Sequence, residues 1–144
     1  MPVVQAATKV IAKRLPKVVN PRAHAVLDYV TAGAFLALGV MCWSRNKRAS
    51  VGAFLCGAAT AANAMLTDYP GGVTKVISYP THGQIDAGLA GLAATMPNIF
   101  AFQEEDEAKY FRGLALAETI ITGLTDFEAD SKVIEMPHYD RAIG

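Results

Sequence analysis

The sequence predicts an all-α fold: a four-helix transmembrane bundle of two tandem helical hairpins related by a pseudo-twofold axis, preceded by an N-terminal amphipathic helix. Three observations lead there. First, His24, Asp28, Gly33, Thr67 and Asp68 recur as His82, Asp86, Gly91, Thr125 and Asp126, every pair 58 residues apart, and a fixed offset of this size marks a repeated supersecondary unit. Second, residues 29–44, 49–67 and 87–103 carry no charge over 16, 19 and 17 positions, close to the roughly 20 apolar residues a helix needs to cross a bilayer core. Third, these stretches show no polar face through their central turns, whereas a helix of a soluble bundle sets one opposite its apolar stripe. A fourth stretch, residues 110–125, is interrupted by Arg112 and Glu118, and the repeat aligns it with residues 52–67.

The chain reads as one membrane domain over residues 1–144: an interfacial segment 1–19, a first hairpin 20–69, a second hairpin 78–127 and a polar tail 128–144. In the first segment Val4, Ala7, Ile11, Leu15 and Val18 form one helical stripe with Lys9, Lys13, Arg14 and Lys17 largely off it. That is the pattern of a helix lying on an anionic leaflet, or of a basic arm docked on protein. Asn20 and Pro21 then supply an N-cap and a first helical residue whose missing N–H costs nothing, predicting a helix over 21–43. A basic turn with Arg45, Lys47 and Arg48 leads to a helix over 49–66, stopped by Pro70-Gly71-Gly72. Ser78 is the second N-cap, for a helix over 80–102. The acidic run 104–107 makes the next turn, and the last helix ends at Thr125-Asp126-Phe127.

An even number of spans per repeat puts His24, Asp28, Asp68, His82, Asp86 and Asp126 at one face. That face holds eight Lys and Arg against five on the other, so the positive-inside rule places both termini in the cytoplasm. The basic and acidic turns become neighbours on the opposite face and should pair. With 13 basic and 13 acidic residues the chain is formally neutral, which excludes nucleic acid as an obvious partner. The partners implied are membrane lipid and other membrane subunits or a second copy. Cys42 and Cys56 would lie at different depths, as buried small hydrophobes rather than a disulfide. Gly33, Gly52, Gly57, Gly88, Gly91 and Gly113 read as close helix packing.

The chemistry lies in a doubled His-x-x-x-Asp. His24 with Asp28, and His82 with Asp86, share one helical face a turn apart, and parallel repeats bring the pairs to equal depth. Asp68 and Asp126 arrive at the same level, giving two histidines and four carboxylates around one axis. Four nearby carboxylates need compensation, because each unpaired buried charge costs several kcal/mol. A divalent transition metal fits, since His and Asp suit zinc, iron or manganese; a haem between His24 and His82 is a second possibility. The simpler alternative is scaffolding: each Asp accepts a hydrogen bond from its His, while Asp68 and Asp126 start turns or cap neighbouring helices. Glu118, deep in the last helix, is an intramembrane ionisable group and so a functional candidate, or a neutral acid hydrogen-bonded to Thr60 or Asn63.

The run His82-Gly-Gln-Ile-Asp86, then Gly91, Pro97, Ile99-Phe100-Ala-Phe102 and Gly113, resembles the SPW-repeat type of small bacterial membrane protein. In that family each repeat is a transmembrane hairpin with an early Asp, a Gly one turn on and a Pro near the end of its first helix. The first copy keeps His24, Asp28 and Gly33 but has Gly39 where Pro97 aligns, and neither copy holds Ser-Pro-Trp. The resemblance spans about 100 residues and implies a fold, with no catalytic residues to carry over. No nucleophile–base pair or phosphate loop is visible. The function expected is a non-catalytic accessory or structural subunit of a membrane assembly; the alternative is a metal- or haem-binding membrane protein, and a transporter comes third.

Overall fold

The structure, a computed structural model, describes residues 15–128; most of the amphipathic segment and of the polar tail predicted for the two ends lies outside them. Four helices occur in order: α1 (Pro21–Cys42), α2 (Lys47–Leu66), α3 (Tyr79–Ile99) and α4 (Ala108–Leu124). There is no β-strand among the described residues. The architecture is all-helical, as the sequence predicts. α1 packs chiefly on α2 and α3 chiefly on α4, and contacts of α2 with α3 and of α1 with α4 complete the bundle.

Local chemistry explains where each helix starts. Asn20 accepts from the Ala23 N–H at 2.9 Å with Pro21 in the first turn, and Ser78 accepts from Thr81 N–H at 3.4 Å. α2 begins at Lys47 rather than at 49, because Asn46 is its N-cap and accepts from Ala49 N–H at 3.1 Å. The buried Asn46 amide also donates to Glu105 and Glu107 in the opposite turn, and Arg48 pairs with Glu105. The basic and acidic turns therefore meet, as their charges predict.

α3 stops at Ile99 instead of 102. Pro97 removes one helical donor, and Ala101 takes a left-handed φ of 54°. The N–H of Phe102 then bonds Pro97 O at 2.8 Å and that of Ala101 bonds Asn98 O at 3.3 Å, the paired bonds that close a helix end, with alanine where glycine is usual. Phe102 is thereby turned into the core beside Phe111, ring centroids 5.1 Å apart.

At the other end, the segments flanking the helices pair directly. Val19 bridges to Thr125 and Ile77 to Thr67, both parallel, so the chain entering α1 runs beside the chain leaving α4, and the chain entering α3 beside the chain leaving α2. Gly72 is fixed by this packing: a Cβ there would lie 1.7 Å from the Thr67 carbonyl oxygen.

The interior has two zones. Towards the end with the charged turns it is apolar, with Phe35, Cys56, Met96, Phe102 and Phe111. Towards the end holding the chain's flanking segments it is polar: His24, Asp28, Asn63, Thr67, His82, Asp86 and Thr125 are all buried. Cys42 and Cys56 are both buried and free. Among the six glycines read as packing contacts, Gly52 and Gly57 meet Met96 and Leu36, whereas Gly33, Gly88, Gly91 and Gly113 face open space.

α1, 22 residues with mean hydropathy 1.8, and α2, 20 residues with 1.4, are long and apolar enough to cross a membrane. α3 and α4 are not among the helices that meet that measure; α3 carries His82, Gln84, Asp86 and Asn98, and α4 is 17 residues long with Lys109, Arg112 and Glu118.

Candidate metal centre

Four of the predicted residues converge. His24 and Asp28 project from the first two turns of α1, and His82 and Asp86 from those of α3, into the space between the helices. Both imidazoles are fully buried, and Asp28 and Asp86 are 6% and 1% exposed. The two Nε2 atoms stand 3.1 Å apart. His24 Nε2 lies 2.9 Å from Asp86 Oδ2 and 3.3 Å from Asp28 Oδ1. His82 Nε2 lies 3.1 Å from Asp28 Oδ2 and 3.0 Å from Asp86 Oδ2. Each histidine thus meets its own i+4 aspartate and, as closely, the one on the other hairpin.

The remaining ring nitrogens are set by threonines. Thr125 hydroxyl donates to Ile121 O at 2.7 Å and Thr67 hydroxyl to Asn63 O at 2.5 Å. A hydroxyl has one proton, so each Oγ1 is left as an acceptor: Thr125 takes the Nδ1–H of His24 at 2.9 Å, and Thr67 that of His82 at 2.8 Å. Both Nε2 atoms are therefore turned towards the shared centre. The carboxylates have outer donors too. Tyr69 hydroxyl donates to Asp28 Oδ2 at 2.8 Å, and Asn63 Nδ2 to Asp86 Oδ1 at 2.8 Å. Burial, and then the neighbouring Asp28 carboxylate, push the Tyr69 phenol well above its ordinary range, so it stays a donor.

Aromatic rings close the polar zone. Phe127 sits edge-on to His24 with centroids 5.0 Å apart, Tyr69 lies 5.1 Å from His82, and Tyr79 stacks on His82 at 6.0 Å. Excluding water in this way strengthens every charge interaction inside. Two carboxylates call for two positive charges at this centre, and a divalent cation on two neutral imidazoles would bring the four residues to zero net charge.

The fit to such an ion is geometric. One ligand atom from each of the four residues can be chosen so that all lie within 4.8 Å of one another. The Nε2–Nε2 and nearest Nε2–carboxylate separations are 2.9 to 3.3 Å, measured to Asp28 Oδ1 from His24 and to Asp28 Oδ2 from His82, near the roughly 3.3 Å edges of a tetrahedron whose metal–ligand bonds are about 2 Å. Each imidazole also donates its other N–H outward, as ligating histidines do. A haem does not fit. Axial nitrogens on either side of its iron would be roughly 4 Å apart with the macrocycle between them, and here they are 3.1 Å apart with two carboxylates filling the gap.

Three predicted residues lie elsewhere. Asp68 is exposed and pairs with Lys75 at 3.1 Å, while Asp126 accepts from the Glu128 N–H at 3.1 Å and starts a turn. The reason is local: Thr67 and Thr125 have extended dihedrals (φ −86°, ψ 141° and φ −95°, ψ 136°), and side chains alternate along extended backbone. In Thr67-Asp68-Tyr69 the outer two residues turn in and the aspartate turns out. Glu118 is buried one level deeper, and it makes no hydrogen bond to Thr60 or Asn63; its Oε2 has no partner. Thr67, Thr125, Tyr69 and Asn63 are the contributors that reading the ionisable residues alone passes over. The repeated Thr-Asp pair was the available signal for the first two. No protein family, no curated protein and no solved structure matches this chain.

Proposed function

We propose that this chain is a small integral membrane protein whose function is to hold a divalent transition-metal ion, zinc, iron or manganese, at His24, Asp28, His82 and Asp86. The observation that carries the metal reading is the orientation of the imidazoles: two threonines commit both Nδ1 protons outward, leaving two Nε2 atoms and two carboxylates to share one buried centre. A purely scaffolding network has no need to bring two like nitrogens to 3.1 Å.

The membrane reading is supported by an inverted surface. Val26, Val30, Val40, Leu55, Leu116 and Ile120 are exposed on the helix exteriors while the histidines and aspartates are interior, which suits a lipid solvent and not water. On this reading all four helices span, the shorter α4 by snorkelling and local thinning. The two hairpins are then related by a pseudo-twofold axis, both chain ends face the cytoplasm of a bacterial inner membrane, and the centre lies near that face.

Inductively coupled plasma analysis of the detergent-purified full chain, offered zinc, iron or manganese and then dialysed, tests the metal. The expected result is about one ion per chain in the wild type and loss of retention in His24→Ala and His82→Ala, with both variants still extracted as folded helical protein. Failure of the wild type to retain any of the three ions, or equal retention by both variants, overturns it and leaves the four residues as a device that locks the hairpins together.

The open glycines on three helix exteriors, Gly33, Gly88, Gly91 and Gly113, favour an accompanying role as a non-catalytic subunit, because exposed small residues let another span approach closely. Mass measurement in mild detergent is expected to show a complex larger than one chain; a stable monomer with no companion speaks against it.

A further inference from the structure

The turn that leaves α2 folds back on the first turns of α1 and forms a groove against it. Gly71 allows the close approach: a Cβ there would stand 2.7 Å from the Ala25 Cβ and 3.3 Å from the Tyr29 ring. The Tyr29 hydroxyl donates to Gly71 O at 2.7 Å and ties the turn down. The groove has a volume of about 220 Å³ and is lined by Arg22, Ala25, Val26, Tyr29, Pro70 and Gly71. That is below the roughly 300–1,000 Å³ of pockets that enclose a drug-sized molecule. It suits one end of a ligand whose remainder lies outside.

The groove has a charged mouth and an apolar wall. Three of the described cations stand at this end of the bundle, Lys17, Arg22 and Lys75. Lys17 Nζ donates to Gly123 O and Lys75 pairs with Asp68, whereas Arg22 meets no carboxylate and no hydrogen-bond acceptor among the described residues. Further along α1, Val26 and Val30 are 60% and 62% exposed, Gly33 faces open space and Ala37 is exposed. Steps of three and four residues keep these positions on one face with Arg22. α1 has 22 residues and is therefore about 33 Å long, close to the roughly 30 Å of a bilayer core. In a membrane Arg22, the second residue of that helix, lies at headgroup level, and Val26, Val30 and Gly33 lie at successive depths of the acyl chains.

The second hairpin has nothing equivalent. The positions 58 residues on from Arg22, Val26 and Tyr29 are Pro80, Gln84 and Ala87, and that of Pro70 is Glu128. Cation, apolar stripe and folded-back turn occur together in the first hairpin only.

From this juxtaposition we infer that the groove is a binding site for one anionic phospholipid, its phosphate on the Arg22 guanidinium and an acyl chain along Val26, Val30 and Gly33. A guanidinium offers phosphate two parallel N–H groups, and the exposed apolar stripe running on from it selects a lipid over a soluble phosphate. The inference rests on the membrane reading above and adds to it a lipid of defined charge and position.

Native mass spectrometry of the full chain, released from vesicles of phosphatidylcholine and phosphatidylglycerol, tests it. The wild type should retain a single phosphatidylglycerol in preference to phosphatidylcholine. Arg22→Gln should cut that retention roughly fivefold, the weight of one basic group near a membrane surface. Val26→Asp, which sets a like charge beneath the phosphate, should cut it at least as much. Both positions are exposed, so neither change disturbs the core. Lys75→Gln removes the same charge from the same end and should leave retention as it was. Glycerol phosphate, the headgroup without its chains, should not displace the lipid. Equal retention of the two lipids by the wild type, or unchanged retention in Arg22→Gln, overturns the site. Equal losses in Lys75→Gln and Arg22→Gln overturn it in favour of diffuse attraction to surface charge, and displacement by glycerol phosphate in favour of a soluble ligand. Failure of the underlying membrane reading is a separate result: the full chain found in the soluble fraction after lysis without detergent.

Discussion

The two hairpins contribute equally to what faces the centre and unequally to what stands behind it. Each gives one histidine, one aspartate four residues on and one threonine, and each threonine serves the histidine of the other hairpin, Thr67 with His82 and Thr125 with His24. Behind this layer the equality ends. Asp28 takes its outer hydrogen bond from Tyr69, whose counterpart 58 residues on is Phe127, which has no hydroxyl to give Asp86. Asp86 takes its bond from Asn63, whose counterpart is Ile121. Both donors to the carboxylates therefore come from the first hairpin, while the second supplies an acid, Glu118, where the first has Thr60. Groups that face the shared centre are constrained alike in both copies. The surroundings need only give each carboxylate one donor, and either copy can provide it.

The threonines offer the largest test of that equality. Replacing Thr67 or Thr125 by valine keeps the shape and removes the acceptor that orients one imidazole, and loss of such an outer partner typically costs about 10–100-fold in metal affinity. Because the two bonds are alike in length and burial, Thr67→Val and Thr125→Val should weaken zinc binding by factors within about threefold of each other on the same scale. A zinc competition titration reads both. Strongly unequal losses would show that the centre is held from one side only.

How far the centre was legible in the sequence follows from the same geometry. Helix number, both N-caps and the convergence of His24, Asp28, His82 and Asp86 came through because they rest on local chemistry and on the fixed offset, which survive without knowledge of packing. α2 starts at Lys47 and not at 49 because Asn46 caps it, and α3 ends at Ile99 and not at 102 because Ala101 takes a conformation that alanine does not advertise. Tyr69 and Asn63 were not legible. Neither is repeated, and each becomes relevant only through packing, Tyr69 once the segment leaving α2 folds over the centre and Asn63 once α2 packs on α3.

Smaller effects should come from those two unrepeated donors. Asn63→Leu leaves the buried Asp86 Oδ1 without its donor, at about 1–3 kcal/mol, whereas Tyr69→Phe removes one of two groups at Asp28 Oδ2, with His82 Nε2 still 3.1 Å away, and should cost less. Some of that loss falls on folding and only the remainder on the ion, so each should weaken zinc by less than Thr67→Val does while lowering the thermal midpoint of the metal-free protein. Adding Phe127→Tyr to Asn63→Leu sharpens the comparison, since it places in the second hairpin the hydroxyl that the first already has. Partial recovery of zinc affinity is expected; none would mean that the two aromatic positions are not equivalent.

The smallest effect should come from Asp68 and Asp126, the most conspicuous carboxylates of the repeat after Asp28 and Asp86. Extended backbone at Thr67 and Thr125 turns the following side chain away from the interior, and the two aspartates then meet different partners, Lys75 for one and a turn N–H for the other. An exposed ion pair contributes about 0–1 kcal/mol, and neither residue touches an imidazole. Asp68→Asn and Asp126→Asn should therefore leave zinc stoichiometry unchanged and shift affinity by less than about twofold, the residue of a long-range charge effect screened by solvent. A tenfold loss in either variant would place these carboxylates on the ion's path into the bundle and make the outward-facing aspartates part of the function that the inward-facing ones carry.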